Sequence, residues 1–362
     1  MSYVSYNGLK SPNEILEKIS EYIKSKGYTI VEDIKDDLNI YNSAKATTDG
    51  KKFVFKDKTD TYFICLRSAN GYKIFGSSND SYMETLDVTS YKDDSKYGIG
   101  ITVGEGYSKT QRWYNQYKVP VSKVDSSVLG SFMQASAESS GITYTLYCNN
   151  VDTPNDTLVF TILKENDNEY VVSHMVVGYI SKYDTWTGGI YFSATSPSYS
   201  SSTYPVLSSG SESNTYLRID IDEAPSDKRG NIYWASSGTD NITGKPLSLP
   251  IRVNGGGNGR IPNYWYMQSH SQFDWGRNVN TLNCITINMP IYMAVRVDPD
   301  VLDNYASVGY INGIYFVSML NMQTSGTYEM SYPKSGDLCQ VFPMNKRRGI
   351  YGFDGISIKQ II

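Results

Sequence analysis

A chain of 362 residues can bury a substantial core as one large domain or two ordinary ones. Its net charge of −4 shows no basic bias, which argues against nucleic acid as the main partner. The 32 tyrosines, against 11 Phe and 5 Trp, suit short strands with amphipathic surfaces, because the ring packs while the hydroxyl stays hydrogen-bonded at a wet edge.

The start, MSYVSYNGLKSPNEIL, lacks the basic and apolar regions of a signal peptide. The first predicted element is a helix over residues 12–26. Ser11 is a good N-cap, Pro12 suits the first helical position, and Glu14 has capping-box spacing. Ile15, Leu16, Ile19, Tyr22 and Ile23 follow at helical spacing, and Gly27 supplies a left-handed stop. Ile15, Ile19 and Ile23 are expected to dock on the domain itself or, in a sharper reading, to make an assembly contact with a neighbouring subunit.

Strand signals begin at Tyr28-Thr29-Ile30-Val31, which is aromatic and β-branched, and Asp49-Gly50 marks a turn before Phe53-Val54-Phe55. Further strands are expected over 61–66, 99–103, 143–148, 158–163, 170–180, 189–192, 217–221 and 285–297. Residues 122–139 have room for a short helix. The Ser-rich stretch 193–214 reads as a loop or linker. It divides the chain into a helix plus β-rich lobe (1–192) and a second β-rich lobe (215–362), or lies within one continuous domain. The expected fold class is mainly β (α+β): multi-stranded antiparallel sheets or a sandwich with one N-terminal helix. No apolar run approaches the roughly 18 residues of a membrane span, so no membrane partner is expected.

The chemistry-bearing residues are sparse. Cys65, Cys148, Cys284 and Cys339 are dispersed, and His174 and His270 are the only histidines, so neither a zinc site nor any cofactor is expected. Cys65 and Cys284 read as buried thiols, in keeping with assembly in a reducing cytosol. NGGGNGR at 254–260 lacks the Lys-Ser/Thr ending of a phosphate loop. The 104–110 segment ends in Lys109-Thr110 but has Ser108 where that motif needs Gly; both read as turns. In the segment from Arg218 to Glu223, Ile219 and Ile221 alternate with Arg218, Asp220 and Asp222. Two same-face carboxylates could bind a hard cation or act as an acid/base pair; the simpler reading is a solvated edge that resists strand pairing.

His270 has only its sequence neighbours Ser269 and Ser271 for partners, and no nucleophile elbow is present. Its segment supplies Tyr264, Trp265, Tyr266, His270, Phe273 and Trp275, the best candidates for a contact or glycan-facing surface. Packing beneath the glycine loop is the simpler role for them. Lys346-Arg347-Arg348 reads as a solvated turn, or as a partner for an acidic patch on a neighbouring chain.

Three segments resemble a family of tailed-phage virion proteins encoded among tail genes. The capped helix runs through Gly27-Tyr28-Thr29-Ile30-Val31-Glu32-Asp33, as in a Gly-aromatic-Thr-Val-acidic turn. Thr61-Tyr62-Phe63-Ile64-Cys65-Leu66-Arg67-Ser68 is similar to a "yvglRt" strand. Gly309-Tyr310-Ile311-Asn312-Gly313-Ile314-Tyr315-Phe316-Val317-Ser318 is similar to a "G-x-x-x-G-v-y-w-v-s" strand, and a run from Gln340 to Arg348 to a later "v-v-q-n-v-x-r" strand. The resemblance implies a non-enzymatic structural component of a tail, baseplate or neck, assembled in the bacterial cytoplasm. Its implied partners are other virion proteins, with several copies in the particle. It carries no catalytic residues across. The alternative is a receptor protein at the tail tip that binds a host-surface glycan; a glycan-cleaving enzyme using Asp220 and Asp222 ranks third.

Overall fold

In the computed structural model the chain is described over residues 3–36, 50–72, 92–110, 116–120, 128, 130–151, 156–166, 171–194, 206–207, 215–220, 232–236, 251–253, 288–296, 305–319, 322–330, 334–343 and 354–360. It opens on a strand absent from the sequence reading, β1 (Tyr3–Leu9), followed by the helix α1 (Pro12–Ser25). The Ser11 hydroxyl accepts from the Glu14 N–H at 3.3 Å, and the Glu14 carboxylate reaches back to the Lys10 N–H at 2.7 Å. These are the two arms of a capping box, with the return arm displaced by one residue. Gly27, one residue past the C-cap Lys26, takes φ +75° as the stop requires. Ile15, Leu16, Ile19, Tyr22 and Ile23 are all 0% exposed, so the whole stripe meets the chain's own core.

The strands β2 (Ile30–Asp36), β3 (Lys51–Lys56), β4 (Phe63–Tyr72), β5 (Lys92–Gly104) and β6 (Ser131–Gln134) pair in chain order into a five-stranded antiparallel sheet. The short helix expected within 122–139 is corrected over the described part of that range. Residues 131–134 extend the β5 edge, with Met133 in the core, and only a 3-10 turn follows at Glu138–Ser140. Pairing with β5 satisfies the backbone of this short run, so tertiary context overrides local preference.

The remaining strands are β7 (Tyr144–Val151), β8 (Thr157–Lys164), β9 (Val172–Lys182), β10 (Gly188–Ala194), β11 (Tyr216–Asp220) and β12 (Ile232–Ser236). After them come β13 (Ile251–Val253), β14 (Asn288–Arg296), β15 (Tyr305–Ser318), β16 (Thr327–Glu329), β17 (Leu338–Pro343) and β18 (Asp354–Lys359). With β1 they form a branched thirteen-stranded sheet among the described residues. The architecture is mainly β, with antiparallel sheets and one helix near the N-terminus.

The branch lies at β9. One edge pairs with β10, while the other pairs with β8 over 172–177 and then with β15 over 180–182. In turn β15 passes from β9 to β18, keeping β14 along its other edge. Two glycines allow this crossing. A Cβ on Gly309 would stand 2.3 Å from the Ser181 carbonyl oxygen, and one on Gly313 (φ +75°) would stand 2.1 Å from Val151 Cγ1. The G-x-x-x-G spacing therefore marks where three strands crowd together.

Past the branch the sheet folds over itself, leaving β7–β10 covered on both faces. Leu146, Phe160, Met175, Val177 and Phe192 pack toward α1 and β3–β5 in the first core. Val159, Val176 and Tyr191 point the other way, to Ile291, Phe316, Phe342 and Ile358 in the second. Two-sided burial accounts for the nearly continuous apolar text of β8 and β9, since strands covered on both faces lose the polar half of the alternation. Each fully buried aliphatic or Phe side chain contributes about 1.5–3 kcal/mol before conformational entropy is counted.

Candidate functional site

The aromatic segment favoured by the sequence, Tyr264, Trp265, Tyr266, His270, Phe273 and Trp275, lies outside the described residues. So do the 254–260 glycine loop, Asp222, Cys284 and the Lys346-Arg347-Arg348 run. The other segments singled out can be followed.

The 104–110 segment is a turn whose amides already have acceptors. The Glu105 and Gly106 N–H groups donate to the Tyr117 carbonyl at 3.0 and 3.3 Å, and the Ser108 N–H donates to Gln116 Oε1 at 2.7 Å. A phosphate would have to displace all three.

The alternating segment at Arg218 needs a correction. It is not a solvated edge, because β11 is flanked by β10 and β12, and Arg218 is 0% exposed. Its guanidinium pairs with the Glu105 carboxylate, which also receives Lys118 Nζ at 2.8 Å. Arg218 and the core residue Ile219 do alternate, but alternation could not show that Glu105, just past the end of β5, meets the Arg218 side.

The remaining charged groups are similarly occupied. Glu32 holds Lys52 at 2.9 Å and accepts from the Tyr107 hydroxyl. Asp57 collects the Thr61 and Tyr62 N–H groups on one oxygen and the Thr59 N–H and Tyr179 hydroxyl on the other, at 2.6–2.9 Å. This is an Asx turn at the β3–β4 connection, tied across the first core to β9. The text Asp57-Lys58-Thr59-Asp60-Thr61 carries the signal for it.

His174 is fully buried on β9. Its Nε2 lies 2.8 Å from the Pro343 carbonyl, which can only accept, so the network assigns the proton to Nε2. Nδ1 then accepts from the Thr161 hydroxyl at 2.9 Å. Burial pushes the imidazole down to about 4, so it is neutral at pH 7. Cys65, Cys148 and Cys339 are buried thiols, and among the described residues no group of three or more His, Cys, Asp or Glu side chains could hold a metal ion.

What the described surface does offer is a row of tyrosines over the β9–β15–β14 junction. Ile291, Met293 and Ile311 point into the second core at 0% exposure, so the alternating Tyr292 and Tyr310 turn outward. These two are register partners, with ring centroids 6.5 Å apart. Tyr183 joins from the end of β9, its N–H on the Val308 carbonyl at 3.1 Å and its ring 5.9 Å from that of Tyr310. Tyr183 is 52% exposed and Tyr292 37%. Partial burial, then the neighbouring Tyr292 and Tyr310, push the Tyr183 hydroxyl up, which keeps it neutral. Lys182, opposite Gly309 and in step with the buried Ile180, turns to the other face, where its Nζ lies 5.2 Å from the Trp186 ring centre and 2.7 Å from the Trp186 carbonyl oxygen. Partly exposed rings that each carry a hydroxyl are the composition of a recognition surface. Its sequence signal was the in–out alternation within the predicted 285–297 strand and the G-x-x-x-G motif.

No protein-family model matches the chain, and a search of curated proteins finds no match either.

Proposed function

We propose that this chain is a structural component of a tailed-phage particle, placed in its tail, baseplate or neck, and that it works through protein–protein contacts without catalysis. The observation that carries the contact reading is the Tyr183–Tyr310–Tyr292 row on the outer face of strands whose inner face packs on the second core. Tyrosine supplies contact area at low entropic cost, because only two torsions are frozen. The phage assignment is supported by the sequence resemblance at the helix, at β4 and at β15. The titratable groups described above serve the fold: Glu105, Glu32 and Asp57 have their partners, and His174 is sealed between layers. In this reading the protein assembles in the host cytoplasm and stays in the virion with several copies per particle. A host-surface glycan is the competing partner, since the same amphipathic rings can stack on sugars.

The test is the double variant Tyr183→Ala with Tyr292→Ala. Both rings are exposed, so stability should stay within about 0.5 kcal/mol of the parent. Incorporation into particles should fall roughly thirtyfold, as expected when about 2 kcal/mol of contact energy is lost. Normal incorporation together with lost binding on a glycan array would favour the receptor reading instead.

A further inference from the structure

The strand β1 ends the large sheet. Among the described residues it pairs only with β7, so its outer row of backbone N–H and C=O groups has no strand beside it. Sheet edges are normally blunted by charge, proline or short length, because an open edge is a template for another strand. Of the other edges among the described residues, β12 (Ile-Tyr-Trp-Ala-Ser) is also uncharged but has only five residues, and the rest follow that rule. β2 carries Glu32, Asp33, Lys35 and Asp36, β6 has four residues, β16 has three, and β13 has three with a central Arg252. By contrast β1 has seven residues, Tyr-Val-Ser-Tyr-Asn-Gly-Leu, with no charge and no proline. Its register with β7 is unbroken over 3–6, and the bulge comes only afterwards, at Gly8 (φ +73°). Val4 is 40% exposed, and Ser5 and Asn7 are exposed beside it.

We infer that β1 is a self-pairing edge through which two copies of this chain join by antiparallel strand addition. A second copy is the occupant these residues fit. An uncharged strand meets its own twin without like-charge repulsion, and the outer backbone row is self-complementary about a two-fold axis. The helix rim above the strand agrees. Lys18 Nζ lies 5.5 Å from the Tyr6 ring centre and is paired to Glu21 at 2.9 Å, so the cation nearest Tyr6 is matched within its own copy. Side-chain parity selects the axis. Residues opposed across an antiparallel pair share a face, so a two-fold through Ser5 sets Val4 against Tyr6 of the second copy and Tyr3 against Asn7. The first is a β-branched–aromatic pair, a favourable cross-strand combination, and it covers the exposed Val4. The contact is isologous and closes at two copies. It stands on β1 alone and does not depend on the phage assignment.

Light scattering and sedimentation of the full chain across the micromolar range test it. The expected mass is twice 40.6 kDa, and Val4→Lys, which puts a cation on both sides of the seam, should return it to 40.6 kDa with the far-UV circular dichroism of the folded chain unchanged. Ser5→Cys should give a covalent dimer under mild oxidation while the parent gives none, because opposed residues lie within disulfide range. A monomer at every concentration overturns the inference, as does a doubled mass that Val4→Lys leaves intact. A doubled mass without the Ser5→Cys cross-link also overturns it, by removing the axis. A mass that climbs steadily with concentration overturns it too, since it would indicate an open polymer in which β1 pairs with the uncharged β12 of the next copy.

Discussion

The two faces of β7–β10 are packed by different chemistry. The face toward α1 and the five-stranded sheet is almost wholly apolar, with Ile15, Ile19, Phe53, Phe55 and Phe160 among its members. The face toward β17 and β18 is threaded by a polar seam. There Asn149 donates to Gln340 Oε1 at 3.3 Å and accepts from Gln360 Nε2 at 2.9 Å, while His174 bonds Pro343. An apolar contact tolerates sliding and repacking provided that volume is kept, whereas a buried hydrogen-bonded seam is satisfied in one register only. The first face should therefore be the main source of stability, and the second should fix how the outer strands seat.

The sharpest way to break that contrast is Ile19→Asp, which places an unpaired charge in the first core. It should cost about 4 kcal/mol or more in denaturant unfolding, enough to threaten folding altogether. A cost near zero would mean that the helix stripe does not anchor the core. Next comes Glu105→Ala, which removes the carboxylate paired with the buried Arg218 and Lys118 on the otherwise apolar side. Breaking a buried ion pair from one end costs about 3–5 kcal/mol, so this variant should rival a large core truncation.

Acid should single out the polar seam. Burial holds His174 near pH 4 in the folded chain, against an ordinary 6.5. As pH falls the unfolded chain takes up the proton first. The stability tied to this site is thus complete above pH 6.5 and is lost as pH drops toward 4, by about 3 kcal/mol in all. Unfolding curves across that window should be flatter for His174→Gln than for the parent. An identical slope in the two proteins would show that the imidazole does not gate the seam. The smallest effect is expected for Gln340→Ala, about 1–2 kcal/mol, because Asn149 loses one acceptor but keeps its bond to Gln360.

Much of this arrangement is legible in the residues, and the failures have physical causes. The capped helix could be read because Ser11, Pro12, Glu14 and Gly27 act locally. The strands from β7 to β10 could be read because two-sided burial leaves long apolar runs. The strand β1 was missed since it lies at an edge, with most of its side chains partly or fully exposed, and so leaves no long apolar run. The edge assigned at Arg218 was wrong because alternation specifies a face and not what covers it. The tyrosine row escaped notice for a related reason. Tyr292 and Tyr310 belong to different strands and Tyr183 follows the end of a third, and the branch at β9 brings them together.

Whether these rigid layers serve assembly is decided most directly by mass spectrometry of purified tailed-phage particles after salt washing. The protein should be present in several copies per particle and should survive the wash, because aromatic contacts are not screened as purely ionic ones are. Its absence from particles, with the chain confined to the infected cytoplasm, would contradict a structural role.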